Sequence, residues 1–141
     1  MKYFIQLLFV LLLTTFTVSC DSITDCIINS RPHLPGKDFI DGTANVFYEE
    51  SIRAEIKNEP RDNDYWYYFT VTGLPAGMDY EFIGRDLFIY GIPESPGRYS
   101  IEVFLEVEPR SVFIDDDDSW DEDGDSLCSY STDRFYFLEV L

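Results

Sequence analysis

The chain has 141 residues, with 27 acidic against 10 basic side chains and a net charge of −17. That length suits one domain around one core, and an aromatic content of 17% is too high for a disordered chain. Such acidity disfavours nucleic acid and anionic lipid headgroups, and it attracts cations or basic partners.

Residues 1–19 read as a secretory signal: Lys2 supplies the positive start, Tyr3 to Leu13 are apolar except Gln6, and small polar residues lead to Cys20. Thr17-Val18-Ser19-Cys20 resembles a bacterial lipobox, in which a small residue precedes the cysteine that becomes the acylated N-terminus; Thr17 stands where that motif usually has Leu. The resemblance implies lipidation of Cys20 with palmitate-type chains. It also implies a membrane-anchored protein of the bacterial cell envelope, facing the periplasm or the cell surface. Each buried CH₂ contributes about 0.8 kcal/mol, so several acyl chains give stable anchoring. The alternatives are an ordinary signal peptide, or an uncleaved anchor near the lower limit of about 17 residues for spanning a bilayer.

Cleavage after Ser19 removes Lys2 and takes the net charge from −17 to −18. With Cys20 acylated, Cys26 and Cys128 form an even pair in an oxidising compartment and read as one disulfide. Closing a loop of about 100 residues is worth up to ~4.7 kcal/mol in the chain-entropy model.

Residues 20–36 read as a tether ending in Ser30-Arg31-Pro32-His33-Leu34-Pro35-Gly36, with His33 a solvated linker residue. The folded domain is expected over 37–141. Ser51 to Lys57 alternates, with Ile52, Ala54 and Ile56 on one face, which predicts a half-buried strand. Asn58 to Asp64 is a polar turn. Tyr65 to Thr72 is the next strand, with Tyr67, Phe69 and Val71 inward. Asp79 to Ile83 and Leu87 to Ile92 make a hairpin around Gly84-Arg85-Asp86. After Pro96-Gly97, the residues Tyr99, Ile101, Val103, Leu105 and Val107 alternate with polar neighbours and with Phe104, the clearest strand in the chain. The last strand is Arg134 to Leu141, with Tyr136, Leu138 and Val140 inward.

Two stretches punctuate these strands: Val71-Thr72-Gly73-Leu74-Pro75-Ala76-Gly77-Met78, and Ile89 to Val103 with its Gly91-Ile92-Pro93 and Pro96-Gly97-Arg98-Tyr99 turns. They resemble the immunoglobulin-like, dystroglycan-type cadherin-like modules of bacterial surface proteins. The resemblance covers about Lys37 to Val107 and the last strand, and it implies a single immunoglobulin-like β-sandwich of about seven strands that works by binding. Gly97-Arg98-Tyr99 also resembles the tyrosine corner of immunoglobulin domains, in which a Tyr hydroxyl bonds to upstream backbone. Two departures stand out. Such modules occur in tandem and join their last two strands tightly, whereas here one module carries an acidic inserted loop at 108–133.

That loop holds Asp115 to Asp118 and Asp121-Glu122-Asp123-Gly124-Asp125. Dense carboxylates suit Ca²⁺, but the register of a calcium loop fails, because Tyr130 falls where the bidentate Glu belongs. A solvated acidic loop is the expectation, with no metal and no cofactor. Trp66, Tyr68, Phe104, Phe135 and Phe137 occupy the outward phases of three strands. If those strands take the C, F and G positions of the resembled fold, the five rings share one outer face. They are the candidate binding residues, either open to a partner or covered by the apolar side of the inserted loop; the cover is the expectation. No catalytic residue is assigned. His33 is the only histidine, and neither a nucleophile elbow nor a phosphate loop occurs, so no enzyme is expected. The partner is expected to be an envelope protein or glycan, with an immunity or exclusion lipoprotein, or a structural subunit of an envelope assembly, as alternatives.

Overall fold

The computed structural model describes residues 29–110 and 127–141. Eight strands follow in order: β1 (Arg31–His33), β2 (Tyr48–Arg53), β3 (Glu55–Lys57), β4 (Tyr65–Thr72), β5 (Met78–Ile83), β6 (Asp86–Gly91), β7 (Gly97–Pro109) and β8 (Ser131–Val140), with a short 3₁₀ turn at Asp62–Asp64. Antiparallel pairing builds one sheet in the order β2-β6-β5 and another in the order β4-β7-β8, and β1 pairs with β3. This is an all-β immunoglobulin-like sandwich: β2, β6 and β5 take the places of strands B, E and D, and β4, β7 and β8 those of C, F and G.

Period-2 alternation builds both layers. On β7, Ile101, Val103, Leu105 and Val107 are no more than 1% exposed, and the alternate residues face out. Tyr67, Phe69 and Val71 on β4 and Tyr136, Leu138 and Val140 on β8 complete that inner face. Ile52, Leu87 and Ile89 meet it from the other sheet. Each such side chain contributes about 1.5–3 kcal/mol by leaving water. The β5–β6 hairpin closes on Gly84-Arg85, where Gly84 at φ +59° supplies the positive φ that a two-residue hairpin needs first. Gly73 has φ +81°, and a Cβ there would lie 2.2 Å from the Ser100 carbonyl oxygen, so the turn after β4 can approach β7 only as glycine. The Tyr99 hydroxyl donates to Ser95 O at 3.0 Å, the tyrosine-corner contact.

Three sequence expectations change. The single strand expected over 51–57 divides at Ala54, whose N–H donates to Arg85 O at 2.9 Å. Before that point β2 pairs with β6, and after it β3 pairs with β1. The inward phase of Ile52, Ala54 and Ile56 runs through unbroken, because alternation reports burial rather than the identity of the ladder partner.

Secondly, the end of the expected tether belongs to the fold. β1 lies opposite β3, Leu34 is 1% exposed, and Phe39 stacks on Tyr136 with ring centroids 5.1 Å apart. His33 is a half-buried strand residue opposite Glu55 rather than a solvated linker residue. Burial and the nearby Lys57 charge lower its pKa. Thirdly, β7 reaches Pro109 and β8 begins at Ser131, so both strands extend into the expected inserted loop.

Candidate functional site

The outer face of the β4-β7-β8 sheet carries the five aromatic residues singled out above. Trp66 is 51% exposed, Tyr68 44%, Phe104 41%, Phe135 54% and Phe137 55%. Across this face Trp66 stands opposite Glu108, and Tyr68 opposite Glu106 and then Ser131. Thr70 faces Phe104 and then Asp133, Thr72 faces Glu102 and then Phe135, and Ser100 faces Phe137. Each aromatic is thus offset by one pleat from the next. Diagonal neighbours of that kind lie about 7–8 Å apart, within reach of large rings. The result is an oblique aromatic stripe from Trp66 and Tyr68 through Phe104 to Phe135 and Phe137, with a carboxylate opposite or beside most of its rings.

Two arginines cap the stripe. The Arg110 guanidinium lies 4.0 Å from the Trp66 ring centroid, and that of Arg98 lies 5.4 Å from Phe137. Exposed cation–π contacts of this kind contribute about 0.5–1 kcal/mol. Neither arginine was singled out from the sequence. Arg98 shares the outward phase of Phe104, so alternation alone could have grouped it. The expectation that the inserted loop covers the stripe concerns residues 111–126, which lie outside the described residues.

A cleft of about 580 Å³ opens where this face meets the edge of β8. One wall is the segment Gly36 to Asp41, and the other is β8 from Arg134 to Glu139. Their join is a parallel bridge between Gly42 and Val140. There Gly42 N–H donates to Glu139 O at 2.8 Å, Leu141 N–H to Gly42 O at 2.9 Å, and Ala44 N–H to Leu141 O at 2.9 Å. Nearer the other end, the Tyr136 hydroxyl donates to Pro35 O at 2.8 Å. Burial pushes the Tyr136 pKa up to about 12. Behind this segment, Lys37 pairs with the carboxylate of buried Glu50 and donates to Ser51 O at 2.8 Å.

The remaining candidate residues are placed less fully. Cys20 and Cys26 lie outside the described residues, as does the acidic run 115–125. Cys128 is half-buried, and its N–H donates to Ser30 O at 2.8 Å, which brings it within four residues along the chain of Cys26. Among the described residues, no group of three or more His, Cys, Asp or Glu side chains is placed to hold a metal ion.

No protein-family model matches the chain, and no curated protein matches it. Several solved structures match it in part. An endo-fucoidan hydrolase of glycoside hydrolase family 107 matches with a TM-score of 0.53 at 15% identity, over 80% of this chain and 14% of that one. A second structure of that hydrolase gives 0.50 at 12% identity, over 78% and 13%. A PapD-like domain of human CEP192 gives 0.48 at 11% identity, over 80% and 87%. The chain therefore spans about one seventh of the hydrolase it matches. The expectation that no enzyme is involved is corrected here. The fold occurs within a glycoside hydrolase chain, so a lack of familiar catalytic motifs does not exclude one. At these identities the likeness itself shows the fold alone.

Proposed function

We propose that this chain is a lipid-anchored protein of the bacterial cell envelope whose immunoglobulin-like domain holds a partner protein on the outer face of β4-β7-β8. One observation carries the reading: five large aromatic side chains, each more than 40% exposed, gather on one face of one sheet. Contiguous exposed apolar surface marks contact sites, and aromatic anchors dominate binding energies at interfaces. The interleaved carboxylates Glu102, Glu106, Glu108 and Asp133 favour a partner of positive charge, whose encounter they steer. Acylation of Cys20 and the Cys26–Cys128 disulfide belong to the same proposal. A glycan stacked on these rings is the second reading, favoured by the occurrence of this fold in a chain that hydrolyses fucoidan.

The test is chemical crosslinking on intact cells, followed by capture on the full-length protein. Trp66→Ala and Phe135→Ala should each weaken capture of the crosslinked protein by about 30-fold, the equivalent of a 2 kcal/mol hot spot. Capture unchanged by both substitutions would sink the proposal. Binding of neutral oligosaccharides lost in the same variants would favour the glycan instead. Anchoring is read separately, since Cys20→Ala should leave the protein uncleaved or release it from the membrane fraction.

A further inference from the structure

β8 lies at the edge of its sheet, and its backbone shows where that edge is free. Val107 N–H donates to Tyr130 O at 2.9 Å, which makes the even-numbered residues of β8 those that bond to β7. Glu139 and Leu141 accordingly turn their backbone groups the other way, to Gly42. The same alternation directs the N–H and C=O of Phe135 and Phe137 away from β7. There, among the described residues, no backbone group pairs with them. Folded proteins usually blunt or cover such an edge. Here a cleft of about 580 Å³ is built beside it instead. Phe39 stacked on Tyr136 packs at its base, and Gly36 to Asp41 form the far wall.

We propose that an extended segment of a basic partner protein adds to the free edge of β8, pairing with the backbone of Phe135 and Phe137 inside this cleft. This rests on the reading of the domain as a binding module and specifies the mode of capture. Unpaired N–H and C=O groups at strand spacing recognise another extended backbone, which a sugar or a helix does not offer. Charge selects among extended chains. A second copy would bring another −17 to the edge, whereas Lys or Arg side chains on an added strand answer that net charge. They meet Asp133 and Glu139 on β8 and Asp38 and Asp41 on the facing wall, with Lys37, Arg98 and Arg134 also lining the cleft. The site is continuous with the aromatic stripe, because Phe135 and Phe137 belong to both.

The probe is a seven-residue peptide of alternating lysine and valine, blocked at both ends, added to the full-length protein while amide hydrogen exchange is followed. In the free protein the Phe135 and Phe137 amides should exchange quickly. Saturating peptide should slow both by at least ~10-fold, as expected when an edge amide gains a ladder bond, and leave the β5 amides unchanged. Phe137→Pro removes one donor at a position where an edge strand tolerates proline. It should abolish protection at Phe135 even at saturating peptide. Phe137→Ala, which keeps the backbone donor but loses the ring, should raise the peptide concentration needed and still reach protection at saturation.

Slow exchange in the free protein would mean that the chain fills its own edge. Protection that rises with protein concentration would mean a second copy. Equal loss in the proline and alanine variants would assign binding to the ring rather than the backbone. Each of these results, or no protection at all, overturns the inference. A folding failure of the proline variant leaves the wild-type protection to decide. Loss of capture in Trp66→Ala with β8 protection intact would separate the aromatic face from the edge, since Trp66 lies on β4.

Discussion

Tyr136→Phe removes one oxygen from the joint between the N-terminal segment and β8. The ring is 2% exposed, stacks on Phe39 with only 6° between the planes, and sends its hydroxyl to Pro35 O at 2.8 Å. The phenylalanine variant keeps the stack and loses the hydrogen bond. A buried carbonyl left without a donor costs about 1–3 kcal/mol. Pro35 is only half-buried, however, so water can take the donor's place. The expected loss is therefore near the low end, about 1 kcal/mol, or roughly 4–8 °C in Tm for a domain of this size. Tyr136→Ala also removes the ring from the core and should cost about 3–5 kcal/mol. Urea unfolding followed by circular dichroism measures both, and limited proteolysis within 30–41 reports whether the segment has come free. Equal losses in the two variants would refute the reasoning, because they would place the whole effect in the hydroxyl. A negligible loss in both would mean that the segment is not held by this residue.

Tyr48 carries a buried hydroxyl with no hydrogen-bond partner among the described residues, so Tyr48→Phe should be neutral or stabilising by up to about 1 kcal/mol; a clear drop in the urea midpoint would show that the hydroxyl is satisfied. Alkaline stability follows from three buried phenols. Burial raises the pKa values of Tyr48 and Tyr67, helped by Glu50 and Asp62 respectively, and burial brings Tyr136 to about 12. Each is held neutral in the fold, so their contribution is complete below the ordinary tyrosine value near 10 and is lost as pH rises through the folded values. Phenolate absorbance of these three should appear together with unfolding, and ionisation at pH 10 in the folded state would contradict this. For the proposed Cys26–Cys128 disulfide, thiol titration of the unfolded, unreduced mature protein should find neither cysteine reactive, and replacing both by Ser should cost about 2–4 kcal/mol.

The two faces of β4, β7 and β8 were legible because each strand is half-buried, and a half-buried strand writes its orientation into every second residue. That is why Trp66, Tyr68, Phe104, Phe135 and Phe137 group together from the sequence alone, given the strand order implied by the resembled fold. The switch at Ala54 was not legible, since both ladders bury the same phase and the choice of partner is made by residues more than 20 positions away. β1 escaped notice for a different reason: three residues centred on a proline carry no period, and only Leu34 hints that the segment goes inside. The cleft beside β8 was invisible because its walls come from segments about 100 residues apart, and nothing local records the gap between them.

The parallel run of the 36–44 segment along β8 also sets how the domain meets tension. A tug on the N-terminal side against a load held on β8 slides these two elements past each other along their common axis. The bonds from Gly42, Leu141 and Ala44 and the Tyr136 hydroxyl then stretch in concert, rather than parting one after another as in a peeled hairpin. Part of the force also reaches the other layer, because β1 pairs with β3 and Lys37 binds Glu50 and Ser51 of β2. A protein fixed at its N-terminus and grasped at β8 would thus share its load between that layer and the short joint sealed by Gly42.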